Sequence, residues 1–210
     1  MNPRIRINIY PLATQSGVIV IILYCSFTLI SWFLYPYSFT PWTHYLSRLG
    51  NFNYSPLGAY FYNLGCILTG IALFPFFIGL RNWYDSKKSV NILLLIGQML
   101  GLFASIALIM IGIFSEDQGV PHLLASSLFF LTNFFVLIVI NIVLLFHTNF
   151  IKAIGLYGLV LTILSFPLEI FLGGPLVEWY TVFGSLAFVG LLSFNTTMLK
   201  MPDSEGSEQD

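Results

Sequence analysis

Val90-Asn-Ile-Leu-Leu-Leu-Ile-Gly-Gln-Met-Leu-Gly-Leu-Phe-Ala-Ser-Ile-Ala-Leu-Ile-Met-Ile-Gly-Ile-Phe114 contains no Asp, Glu, Lys or Arg. A helix needs roughly 20 such residues to cross the hydrocarbon of a bilayer, and this run exceeds that. A helix that is apolar around its whole circumference belongs in a large core or in lipid. Reading outward in both directions, five more stretches have the same character. The predicted spans cover 16–35, 57–80, 90–114, 122–146, 151–172 and 177–198, joined by short connections. The composition agrees: 57% of residues are hydrophobic and only 8% are charged, far more apolar surface than a soluble core of this size can bury. In lipid the backbone must satisfy its own hydrogen bonds, so spans of this length read as helices. The expected fold is an all-α, polytopic bundle of six transmembrane helices. It forms one domain over 1–198, with a disordered acidic tail at 199–210. The expected location is the cell membrane, as a multi-pass protein.

The basic residues orient the spans. Arg4, Arg6, Arg81, Lys87, Lys88, Lys152 and Lys200 fall on one side, and only Arg48 falls on the other. The positive-inside rule makes the richer side cytoplasmic, with both termini inside. Aromatic residues are expected at the two interfaces: Trp32, Tyr35, Tyr37, Trp42, Tyr45, Trp179 and Tyr180 outside, Trp83 and Tyr84 inside. The apolar run after Arg4 and Arg6 continues into Trp32-Phe-Leu-Tyr35 without a small-residue cleavage site, so it reads as an uncleaved first span. Cys25 and Cys66 lie within spans and form no CxxC motif, which points away from a disulfide framework or a cysteine metal site. A net charge of −1 carries no nucleic-acid signal.

Polar residues inside spans are costly, and here they are concentrated toward the outer half. His122 and Ser126 share a face of the fourth span, which Asn133 and Asn141 extend. Tyr60 and Asn63 are expected on one face of the second, Thr162, Ser165 and Glu169 on one face of the fifth, and Glu178, Thr181 and Ser185 on one face of the sixth. Many such groups serve as interhelical glue. Gly97, Gly101 and Ser105 form a small-xxx-small stripe for close packing, with Gln98 able to bond a neighbouring helix. The outer connections are richer. The first, from Pro41 to Pro56, carries His44, Ser47, Arg48, Asn51, Asn53 and Ser55, and the second carries Glu116 and Asp117 just before His122. Arg48, the one base outside, is expected to pair with Glu116, Asp117 or Glu169.

His44-Tyr-Leu-Ser-Arg-Leu-Gly50 and Asn53-Tyr-Ser-Pro-Leu-Gly-Ala-Tyr-Phe-Tyr-Asn-Leu-Gly65 together resemble an "LSxLG … NSP … FNxG" pattern. Gly112-Ile-Phe-Ser-Glu-Asp-Gln-Gly-Val-Pro-His-Leu-Leu-Ala-Ser-Ser-Leu-Phe-Phe130 resembles "GxFxED … HxxxSxxFF". Both patterns belong to a prokaryotic six-helix membrane family of unknown function. That family is distantly similar to the eukaryotic DRAM/FRAG-type membrane proteins, some of which are associated with lipid remodelling or lipid asymmetry. Ser47, Gly50, Ser55, Pro56, Asn63, Gly65, Glu116, Asp117, His122 and Ser126 stand at motif positions. The resemblance spans about residues 15–198 and implies six helices with a polar outer pocket, but no reaction.

The candidate ligand site therefore comprises His44, Ser47, Arg48, Asn63, Glu116, Asp117, His122, Ser126 and Glu169. The expected role is to bind or handle a lipid head group, with Arg48 holding a phosphate and Asp117 or Glu116 orienting His122. Membrane lipids are the expected partners. A lipid-modifying enzyme, a small-solute transporter and an accessory subunit that docks a protein partner are the alternatives. No HExxH-like spacing calls for a metal, although His44, His122 and Asp117 offer ligand atoms, and no cofactor is expected.

Overall fold

The structure is a computed structural model and describes residues 10–199. Arg4, Arg6, Lys200 and the tail from residue 200 onward lie outside the described residues. Six α-helices are present among the described residues: α1 Leu12–Phe33, α2 Gly58–Gly79, α3 Lys88–Ile113, α4 Val120–Leu145, α5 Lys152–Phe171 and α6 Pro175–Met198. Each is long and apolar enough to cross a membrane, and no strand occurs among the described residues. At 26 residues, α3 extends about 39 Å, more than a hydrocarbon core.

The largest difference from the predicted spans is at α1, which begins four residues before position 16. Pro11 stands at its N-cap and accepts the Gln15 N–H at 3.1 Å. The polar Thr14, too costly to face lipid, is buried instead and donates its hydroxyl to the Ser193 carbonyl of α6 at 3.0 Å. Pro175 opens α6, where its missing N–H costs nothing. Pro75 and Pro167 lie inside α2 and α5.

The helices form a ring in chain order. Each packs on its predecessor, and α6 closes on α1. Large apolar side chains cover the outside: Leu123, Phe166 and Phe171 are 62%, 64% and 83% exposed, an arrangement suited to lipid rather than water. Two glycines set the tightest approaches to the backbone of a neighbouring helix. A Cβ on Gly79 would collide with the backbone of Ala13, and one on Gly112 would collide with the carbonyl of Asn63. The expected stripe on α3 is also used: Gly97 faces Ile140 of α4, Gly101 lies against the Phe77 ring of α2, and Ser105 is fully buried. Gln98 donates to the Phe77 carbonyl at 2.7 Å and accepts from the Tyr84 hydroxyl at 2.8 Å.

The connections α1–α2, α3–α4 and α5–α6 share one end of the ring, called the cap end below. Residues 34–57 fold back over that end through a 3₁₀ turn, Leu46–Gly50, whose Leu46 and Leu49 are completely buried. At the opposite end a second 3₁₀ turn, Leu80–Trp83, drives Trp83 into the bundle. Its indole N–H donates to the Thr196 hydroxyl at 2.9 Å, and its ring meets Phe150 edge-on. Trp83 is thus a plug and not the interfacial anchor expected of it. Tyr35 and Trp179 likewise point inward, while Tyr37, Trp42, Tyr45 and Tyr84 remain exposed.

Candidate functional site

The cap is built around the buried pair Leu46 and Leu49, which leaves Arg48 on the outward side of the same turn. Its guanidinium lies 3.2 Å from Oε1 of Glu116 and 4.5 Å above the Tyr54 ring. Glu116 also accepts from the Asn51 side-chain amide, and Asp117 accepts the Phe52 backbone N–H at 3.3 Å. The α1–α2 loop is therefore fastened to the α3–α4 loop, and of the three expected acids it is Glu116 that meets Arg48. On its other flank the same loop is fastened to α6. Glu178 accepts the Leu46 N–H at 2.8 Å, and the Trp179 indole donates to the His44 carbonyl at 3.0 Å. The His44 ring bonds the Thr43 hydroxyl at 2.7 Å and stacks on Phe39.

The remaining sequence candidates are placed apart or held by backbone. Asn63 is buried and donates to the Gly50 carbonyl at 3.0 Å, fixing the end of the 3₁₀ turn. His122 is buried, and its Nδ1–H donates to the Phe114 carbonyl at 2.7 Å, joining the start of α4 to the end of α3. No carboxylate bonds its ring among the described residues, in contrast to the acid–histidine pairing expected. Ser126 bonds the Leu123 carbonyl of its own helix. Ser47 makes no side-chain hydrogen bond among the described residues. Glu169 is exposed on α5 and takes no part in this network. Tyr60, expected on one face with Asn63, is 65% exposed and meets Phe52 edge-on at 4.9 Å. Among the described residues no three His, Cys, Asp or Glu side chains gather closely enough to hold a metal, so His44, His122 and Asp117 do not form the set considered above.

Glu178, placed by the sequence on a polar outer face but left out of the candidate site, ties the cap to α6. Its signal was visible: an acid three residues after the helix-opening Pro175, on the side with few charges. Sequence reasoning also missed the interior. Between the cap and the Trp83 plug lies a cavity of about 70 Å³, lined from α1, α2, α3, α4 and α6. Its walls are mainly Leu, Val, Ile, Ala and Phe, and none of its lining residues is charged. Its lining includes four polar residues: Tyr24, whose hydroxyl is 3.4 Å from that of Tyr62; Asn133, which donates to the hydroxyl of Ser185 at 3.0 Å; and Thr69, whose buried hydroxyl has no partner. An aromatic column connects cap and cavity. His44 stacks on Phe39, Phe39 and Trp32 meet Trp179, Trp179 stacks on Phe183, and Phe183 meets Tyr24 edge-on.

The arrangement is a bundle with satisfied polar clamps at the cap and an apolar cavity at membrane depth. No curated protein and no solved structure matches the chain. The family described as "Protein of unknown function (DUF998)" matches residues 18–196, nearly the whole bundle. The chain belongs to that family, DUF998, and carries six helices long and apolar enough to span a membrane.

Proposed function

We propose that this protein binds a membrane lipid, taking part of its hydrocarbon chain into the intramembrane cavity beneath the cap. The observation that carries the reading is the cavity itself, with apolar walls from five helices at the depth of the membrane. Apolar concavities with a few polar groups are the usual form of small-molecule sites. The volume, about 70 Å³, is about half that of the engineered cavity of roughly 150 Å³ that admits benzene. It therefore suits a slender chain segment rather than a ring system. The cap lies on the extracytoplasmic side in this reading, because Arg81, Lys87, Lys88 and Lys152 sit at the other end.

A head group at the cap is the second reading. It is favoured by Arg48, whose side chain is 29% exposed and able to meet a phosphate. A head group there would have to compete with Glu116 for the guanidinium. The expected similarity to membrane proteins associated with lipid remodelling is in keeping with either position.

The test uses a phosphatidylcholine carrying a diazirine in its acyl chain, incorporated with the purified protein into bilayers and photolysed. Adducts at the interior residues Leu108 and Ile140 are expected, alongside those on the lipid-facing surface. Adducts confined to outward residues such as Leu123, Ile163 and Phe166 would overturn the reading.

A further inference from the structure

Thr69 lies near the middle of α2, is 1% exposed, and lines the cavity. Several other buried Ser and Thr hydroxyls in the bundle bond the carbonyl one turn back. Ser105 bonds Gly101, Thr132 bonds Leu128, Thr162 bonds Gly158, and Thr196 bonds Leu192, each at 2.7 Å. Thr69 makes no such bond, and its hydroxyl is left without a partner. An orphaned polar group at membrane depth is costly unless something in the cavity satisfies it. A hydroxyl can both donate and accept, so its partner can be an alcohol or a carbonyl oxygen. The partner carries no formal charge. No Lys, Arg, His, Asp or Glu lines the cavity, and an ion brought to this depth would find no counter-charge.

Resting on the lipid-binding reading above, we infer that the occupant is an uncharged long-chain amphiphile, of the long-chain alcohol or neutral lipid class, whose single polar group bonds the Thr69 hydroxyl. The Asn133–Ser185 pair on the α4–α6 wall presents a second neutral polar spot to the same ligand. A charged phospholipid would leave its head group at the interface and offer Thr69 only methylenes.

Diazirine-bearing analogues of hexadecanol, hexadecane and hexadecyl sulfate separate the possibilities, with adducts counted at Leu108 and Ile140 in wild type and Thr69→Val. The valine has nearly the shape of threonine and removes only the hydroxyl. In wild type, hexadecanol should label these residues roughly five-fold more than hexadecane, the effect of about one neutral hydrogen bond, and hexadecyl sulfate should label them least. In Thr69→Val the alcohol should fall to the level of the alkane, with alkane labelling unchanged. Equal labelling by alcohol and alkane in wild type, an equal loss of both in the variant, or sulfate labelling as strong as the alcohol's would each overturn the inference while leaving the cavity reading in place. Absence of interior labelling by every probe would instead remove the cavity reading itself.

Discussion

Arg48 and Glu178 show how differently two charges can act at one surface. Arg48 and Glu116 are 29% and 20% exposed, so water and salt screen their attraction. Such pairs usually contribute about 0–1 kcal/mol. A double-mutant cycle of Arg48→Ala and Glu116→Gln, read by thermal melting in detergent, should give a coupling below about 1 kcal/mol. Coupling well above that would mean the pair is more shielded than its exposure indicates. Glu178 holds a backbone N–H of the buried turn instead, and leaving such a buried donor without its partner costs about 1–3 kcal/mol. Glu178→Ala should therefore lower the melting temperature more than Arg48→Ala does. It should also speed tryptic cleavage after Arg48 as the loop lifts. Unchanged cleavage would show that the loop is held without this acid. The pairing of Arg48 with an acid was legible in the sequence because it is the lone base among outer acids. Which acid it meets was not, since that depends on the curl of Leu46–Gly50. Thr69 was illegible for a related reason: a threonine in a span ordinarily bonds its own helix, and nothing in its neighbours marks this one as different.

The helices themselves were the most readable feature, because the hydrocarbon imposes one length and one secondary structure on every span. Their ends moved where polar residues found partners in neighbouring helices, as Thr14 does on α6. Face assignments were less secure. Tyr60 and Asn63 are three residues apart, yet one looks out and the other in, because an aromatic ring with a hydroxyl is at home at the membrane interface while an amide is not. Close helix approach gives a prediction at this scale. A Cβ at Gly79 meets the Ala13 backbone of α1, which no side-chain rotation can relieve. Gly79→Ala should destabilise the bundle by about 1–3 kcal/mol, the usual cost of overpacking. The same change at Gly119 meets nothing within 4 Å, but its φ of +70° makes alanine cost about 1–2 kcal/mol through backbone strain alone. Melting curves of the two variants check both values, and a neutral Gly79→Ala would mean that α1 and α2 are not pressed together there.

Across the whole molecule, charge placement and cavity placement make one picture: a ring of helices with every described Lys and Arg except Arg48 at one end, a folded cap at the other, and an apolar space between. Orientation is the first test at this scale. In a background lacking Cys25 and Cys66, Asn53→Cys and Gln118→Cys should react with an impermeant maleimide from outside intact cells. Ser86→Cys should react only after permeabilisation. All three positions are exposed, so a reversed pattern would invert the molecule and not reflect burial. The cavity was not visible in the sequence, because its lining comes from five helices and none of its walls carries a motif. The central claim, that this space holds part of a lipid, is tested most directly by native mass spectrometry of gently purified protein. Ala104 is 3% exposed and lines the cavity, so Ala104→Leu fills the space from within. Wild type should retain a bound lipid-like mass that resists mild activation. Ala104→Leu, with a cooperative melting transition confirming its fold, should lose it. Equal retention by the two proteins, or none by either, would contradict the account.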